Sequence, residues 1–147
     1  MKVSRTVSYA LQAAVQLAEL GNSAPVPSSR LAAEGKMPER FLSLILRDLV
    51  THGILESACG VQGGYRLGRP PEDISLLEVI EAVDGPLDYA IPVDKNLEHG
   101  VRATLESALA RVSEVCRGQL AAIKLCHLLP EKTHRTKATD GRRLRRK

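Results

Sequence analysis

Apolar residues in the first third of the chain recur at helical spacing and are punctuated by glycines. From Ser4, the positions Val7, Ala10, Leu11, Ala14, Leu17 and Ala18 fall on one face of a helix that Gly21 can end. A polar linker with Pro25 and Pro27 follows. Ser28 or Ser29 can cap a short second helix, RLAAEG, closed by Gly35. Pro38 suits the first turn of a third helix, where its missing N–H costs nothing. Phe41, Leu42, Ile45, Leu46 and Leu49 form the apolar stripe of that helix, and Gly53 ends it.

Two helices joined by the short link GKMP have helix-turn-helix spacing, although an ordinary helical hairpin fits equally well at this point. The next residues favour the first reading. Two β-prone runs, Ile54–Cys59 and Tyr65–Leu67, flank the loop GVQGG. Gly60, Gly63 and Gly64 can supply positive φ for a tight hairpin and permit close backbone approach. A helix-turn-helix followed at once by a hairpin is a winged helix. In it the third helix can enter a major groove while the hairpin reaches a minor groove or phosphates.

Beyond RPPED, Ser75 and Glu78 form an S-x-x-E capping box, and Ile74 can staple onto Val79. This fourth helix ends near VDG, and the segment PLDYAIPVDKN reads as irregular. A long helix is predicted from about Leu97 to Leu128. Leu105, Ala108, Leu109, Val112, Val115, Cys116, Ala122, Ile123 and Cys126 line one side of it. Gly118 inside it costs roughly 1 kcal/mol relative to alanine, which a close helix crossing could offset. The expected fold class is thus mainly α with a small β-hairpin wing. Its parts are a winged helix-turn-helix domain, residues 1–85, a linker and dimerisation helix, 86–130, and a basic, disordered tail, 131–147.

Composition adds two constraints. With no tryptophan, one phenylalanine and three tyrosines, leucine, valine and alanine must build the core. No apolar run approaches the ~20 residues of a membrane span, and the start of the chain lacks the apolar block of a secretory signal, so a cytoplasmic protein is expected. The net charge of +4 is segregated: +3 over residues 1–70, −6 over 71–131 and +7 over 132–147. A basic front suits a polyanion such as DNA.

The segments SYALQAAVQLAE, LAAEGKMPERFLSLILRDLVTHGILES and GVQGGYRLGRPPEDISLLEVIEAVDG together resemble the bacterial winged-helix transcriptional regulators that include IscR, NsrR and CymR. The most specific piece is G-x-x-G-G-Y-x-L followed by VIEAVDG. The resemblance implies a homodimer on a partly palindromic double-stranded DNA operator, and the leading reading is a repressor or other regulator; the sequence shows no phosphate-binding loop, paired-carboxylate site or nucleophile–base arrangement, so no enzymatic activity is expected. By position, it puts Glu39, Arg40 and Ser43 at base edges and Arg47 near phosphate. Lys2, Arg5, Tyr9, Ser28 and Ser29 become phosphate contacts. Gly60, Gln62, Gly63, Gly64 and Tyr65 belong to the wing. An arginine that can enter a narrow minor groove is common in the family where this chain has Cys59; Gln62 could still hydrogen-bond there more weakly.

Many members of that family hold an iron–sulfur cluster through closely spaced cysteines after the VDG position. Here PLDYAIPVDKNLEHGVRATLE contains none. A cluster needs about four converging ligands. Cys59, Cys116 and Cys126 are scattered, the last two about 15 Å apart if one helix carries both. Some relatives use an acidic residue and a histidine from the first helix, where Ser8 and Gln12 stand. No cofactor and no metal site are therefore expected. Cys116 and Cys126 read as small core hydrophobes, whereas Cys59, with Arg66 and Arg69 near it in sequence, is a candidate redox thiol. Two other functions remain open: a winged fold that docks on a partner enzyme, and an iron–sulfur or redox sensor with ligands of another pattern.

Overall fold

The computed structural model describes residues 2–88 and 95–131. The helices are α1 (Arg5–Leu20), α2 (Ser28–Gly35), α3 (Glu39–Thr51), α4 (Leu76–Asp84) and α5 (His99–Ala122). Between α3 and α4 lie the strands β1 (Leu55–Ala58) and β2 (Gly64–Leu67), and short 3₁₀ turns cover Pro71–Asp73 and Leu125–Leu128. Part of the segment read as irregular, residues 89–94, and the basic tail from 132 lie outside the described residues. No helix among the described residues is long and apolar enough to cross a membrane.

The first helix starts where a cap permits it. The Ser4 hydroxyl accepts from the Val7 N–H at 3.1 Å, and it donates to the Asp84 carboxylate at 2.9 Å. One side chain thus starts α1 and ties it to the end of α4. Val7, Ala10, Ala13, Ala14 and Leu17 are the buried face. Their small size brings the α1 backbone close to its neighbours, where leucines from α2, α3 and β1 fill the core. Among the described residues no tyrosine or phenylalanine is fully buried, and aliphatic side chains fill the core.

The caps of α2 and α3 differ from expectation. Neither Ser28 nor Ser29 caps α2; they are its first two residues, after Pro27 at the N-cap. The left-handed residue that ends α2 is Lys36, at φ 51°, while Gly35 stays helical, and a Cβ there would press on Met37. Pro38 occupies the N-cap of α3, one position before the first turn. Phe41 also leaves the apolar stripe of α3. It is 39% exposed, and its ring meets Tyr9 edge-on with centroids 6.0 Å apart.

The hairpin pairs Leu55 with Leu67 and Ala58 with Gly64. Ile54 and Cys59 fall outside the paired strands, and Gly64 inside them. The linker before α2 joins the hairpin as a third extended segment. Val26 and Tyr65 exchange backbone hydrogen bonds of 2.8 and 2.9 Å. A Cβ at Gly64 would collide with the Val26 carbonyl, so the close approach that glycine permits is made to this chain's own backbone. Gly60 and Gly64 have positive φ, but Gly63 does not; it is needed because a side chain there would strike the Ala58 carbonyl across the turn.

The capping box forms: the Ser75 hydroxyl accepts from the Glu78 N–H at 3.2 Å, and Glu78 accepts from the Ser75 N–H at 2.8 Å. Ile74 and Val79 are both fully buried beside it.

The long helix does not run to Leu128. It stops at Ala122, and Ile123 turns extended. The Ile123 carbonyl accepts from the Leu76 N–H and the Ile74 carbonyl from the Leu125 N–H, both at 2.9 Å. A helix leaves its first N–H groups without internal partners. The returning chain satisfies one of them at the start of α4 and buries Leu125 completely in the core. Cys126 therefore lies beyond the helix that was expected to carry it. Gly118 has no atom near the place of a Cβ, so no helix of the described chain crosses there.

Candidate nucleic-acid interface

The third helix separates its faces sharply. Leu42, Ile45, Leu46 and Leu49 point inward, while Glu39, Arg40, Ser43, Leu44 and Arg47 are exposed. The Ser43 hydroxyl donates to the Glu39 carbonyl at 3.0 Å, which leaves its oxygen free to accept from outside. No ion pair or hydrogen bond engages the Arg40 or Arg47 guanidinium among the described residues. Other arginines are committed: Arg30 pairs with Glu34 at 2.8 Å, Arg66 with Glu56 at 3.2 Å and Arg69 with Glu78 at 2.8 Å. A helix face carrying uncommitted guanidiniums is suited to bidentate recognition of a guanine edge or a phosphate.

Three contacts hold the other candidate residues near this helix. Tyr9 leans on Phe41 and so links α1 to the start of α3. The Val26–Tyr65 pairing fixes the hairpin beside the start of α2, where Ser28 and Ser29 present hydroxyls. The first N–H groups of that helix add to them, an arrangement that favours an anion. The Gln12 amide donates to the Gly35 carbonyl at 2.9 Å and anchors the turn between α2 and α3. Arg5 is exposed at the start of α1. Lys2 lines a recess with Asp84 and Asp88 below the end of α4, so acidic side chains share its surroundings.

At the tip of the hairpin, the Gly63 N–H donates to the Gly60 carbonyl at 3.0 Å and closes the turn. Cys59 and Gln62 are exposed, and Val61 is wholly in solvent. Tyr65 is half-buried against the core, with its backbone spent on Val26. The two arginines near Cys59 in sequence each have a carboxylate partner. Arg66 is held across the hairpin by Glu56, and Arg69 turns away to α4.

Sequence reasoning passed over two residues in this region. Leu44 is 52% exposed among the polar positions of α3, and Val61 stands at the apex of the wing. Leu44 was legible, since it falls off the stripe of positions 42, 45, 46 and 49. Val61 had no periodic signal.

On α5 the apolar side is largely uncovered. Val101, Val112 and Val115 are 50, 52 and 65% exposed, and Ser113 is the buried residue of this helix. Arg117 of α5 pairs with Glu81 of α4, which also accepts from the Leu87 N–H at 3.0 Å.

With this geometry established, known proteins give the chain a context. A family model described as Rrf2, iron-dependent transcriptional regulator, matches residues 3–131. A Mycobacterium tuberculosis chain that carries the name HTH-type transcriptional regulator Rv1287 is 40% identical over 87 residues, 59% of this chain and 54% of that one. The HTH-type transcriptional regulator CymR of Bacillus subtilis is 29% identical over 87 residues, 59% of this chain and 63% of CymR. The match thus spans little more than half the length of these curated relatives. Among solved structures, CymR, the global cysteine regulator of B. subtilis, superposes with a TM-score of 0.71 at 24% identity, over 87% of this chain and 95% of that one. IscR of T. potens superposes with a TM-score of 0.62 at 27% identity, over 87% and 85%. The fold is the winged helix with a C-terminal helix that these structures share.

The family description raises the question of iron, and the donor set answers it poorly. Cys59, Cys116 and Cys126 are free thiols on the hairpin, on α5 and on the last 3₁₀ turn. Among the described residues no three His, Cys, Asp or Glu side chains gather where they could hold a metal ion. These residues do not fit an iron–sulfur cluster.

Proposed function

The chain belongs to the Rrf2 family of transcriptional regulators, and we propose that it is a homodimeric, cluster-free repressor that binds a partly palindromic duplex operator. In this reading α3 enters the major groove with Glu39, Arg40 and Ser43 at base edges and Arg47 at phosphate. Lys2, Arg5, Tyr9, Ser28 and Ser29 hold the backbone. The wing, Gly60 to Tyr65, lies alongside, with Gln62 as its hydrogen-bonding side chain. Residues 1–85 are the DNA-binding unit, 86–130 carry the linker and dimerisation helix, and the tail from 131 adds positive charge. The protein acts in the cytoplasm, where its operator is.

The observation that carries the reading is the pair of uncommitted guanidiniums, Arg40 and Arg47, on the outward face of α3. Elsewhere in the same domain Arg30, Arg66 and Arg69 are each neutralised by a carboxylate. Dimerisation is supported by the exposed valines of α5, since a second copy laid along them would remove apolar surface from water.

The test is anisotropy titration of the full chain against duplexes from the region upstream of its own gene, across a salt series. Selective binding that weakens as salt rises is expected. Arg40→Ala should relax selectivity, and Arg47→Ala should weaken all duplexes alike and flatten the salt slope by about one phosphate's worth. Absence of any salt-dependent duplex binding would overturn the reading.

A further inference from the structure

Leu44 is the unusual residue on the outward face of α3. It is 52% exposed and stands apart from the core cluster and from the side chains packed against that cluster. Phe41, the neighbouring exposed apolar residue, has its ring occupied by Tyr9. Leu44 sits one turn further along the helix and is the more exposed of the two. It lies four residues after Arg40 and three before Arg47, on one row of the helix surface. Along the axis this puts it about 6 Å from one arginine and about 4.5 Å from the other.

We propose that Leu44 reads the C5-methyl group of a thymine in each operator half-site, between the contacts of Arg40 and Arg47. The proposal rests on the DNA-binding reading above and deepens it. The two guanidiniums select a polyanion as the occupant of this face, and duplex DNA offers an apolar group in its major groove only as the thymine methyl. A leucine held there against a cytosine amino group or a purine N7 would cover a polar atom and return no hydrogen bond, which disfavours those bases. Attraction to thymine and rejection of the alternatives then act at one position. With base pairs stacked about 3.4 Å apart, the thymine falls within about two steps of the base that Arg40 meets.

The experiment starts by selecting a binding site from a random duplex pool with the full chain. Each thymine of the selected site is then replaced singly by deoxyuridine, which removes the methyl and keeps the pairing. One position per half-site should weaken wild-type binding by about fourfold, the worth of one buried methyl. Leu44→Ala should weaken the intact site by a similar factor and should make that same deoxyuridine substitution silent. Because Leu44 is exposed, the variant's unfolding midpoint should match the wild type.

Two results would overturn the proposal: no deoxyuridine position that matters, or a penalty that persists unchanged in Leu44→Ala. A failure of the underlying reading looks different, because no selective duplex would emerge from the pool, and the proposal would fall with it.

Discussion

Arg69 and Glu78 meet at 2.8 Å, guanidinium Nη2 to carboxylate Oε1, and join the base of the wing to the first turn of α4. Arg69 also donates to the Asp73 carbonyl at 3.0 Å, and the second Glu78 oxygen accepts from the Ser75 N–H. The capping box and the end of the hairpin are therefore one network.

That network predicts an acid-sensitive contribution to stability. Burial pushes the Glu78 carboxyl up, but the Ser75 N–H, the Arg69 guanidinium and the Ser75 hydroxyl outweigh it and hold the pKa below the ordinary 4.5. A carboxyl depressed by folding contributes stability that is full above its unfolded pKa and is lost as pH falls through the folded value. Glu78→Gln should cost about 1 kcal/mol near neutrality, the pair being partly exposed and screened. The cost should shrink at an acidic pH below the folded value, where the wild-type carboxyl is also neutral. Urea unfolding at both pH values measures it; an equal cost at both would remove the charge from the account.

The Gly64–Val26 approach predicts a structural cost at the wing. Gly64→Ala places a Cβ against the Val26 carbonyl at a positive φ. It should destabilise by about 1–3 kcal/mol and speed exchange of the Tyr65 amide hydrogen. Gly63→Val should distort the turn itself, through Ala58, and lower operator affinity as a consequence.

Dimerisation through α5 predicts that the chain sediments as a dimer at micromolar concentration. Val112→Asp should yield a folded monomer, because Val112 is half-exposed in the single chain yet would bury an unpaired charge, at several kcal/mol, between two copies. A wild-type monomer at that concentration would count against the helix as an interface.

For iron, protein produced with ample iron and sulfide and purified without oxygen should be colourless, with no stoichiometric metal. A brown protein with two or four irons per chain would mean that ligands converge in a way the three separate thiols do not suggest.

At the wing, Cys59→Arg should tighten operator binding and steepen its salt dependence by about one counterion. Cys59 is exposed, so the fold should tolerate the change. If affinity and slope both stay unchanged, the wing stands clear of DNA. A response to oxidant that vanishes with the substitution would instead identify a sensing thiol.

The sequence by itself determined the inward faces of α1 and, apart from Phe41, of α3, and the order of the elements. The stripes of α1 and α3, the capping box at Ser75 and Glu78 and the hairpin glycines are local patterns, set by helical periodicity and by backbone freedom over a few residues. The winged-helix architecture followed from their order. Tertiary structure alone decided the matters that depend on distant partners. Nothing within the linker signals that Val26 will pair with Tyr65, and the apolar run after Ala122 continues the helical pattern although the chain abandons it. The reason is that a backbone N–H or a guanidinium takes whichever acceptor packing delivers. Leu76 receives the Ile123 carbonyl, and Arg66 and Arg69 receive Glu56 and Glu78. The same packing leaves Arg40, Leu44 and Arg47 facing outward, the two guanidiniums without a polar partner among the described residues, and that surface is where the proposed DNA contact lies.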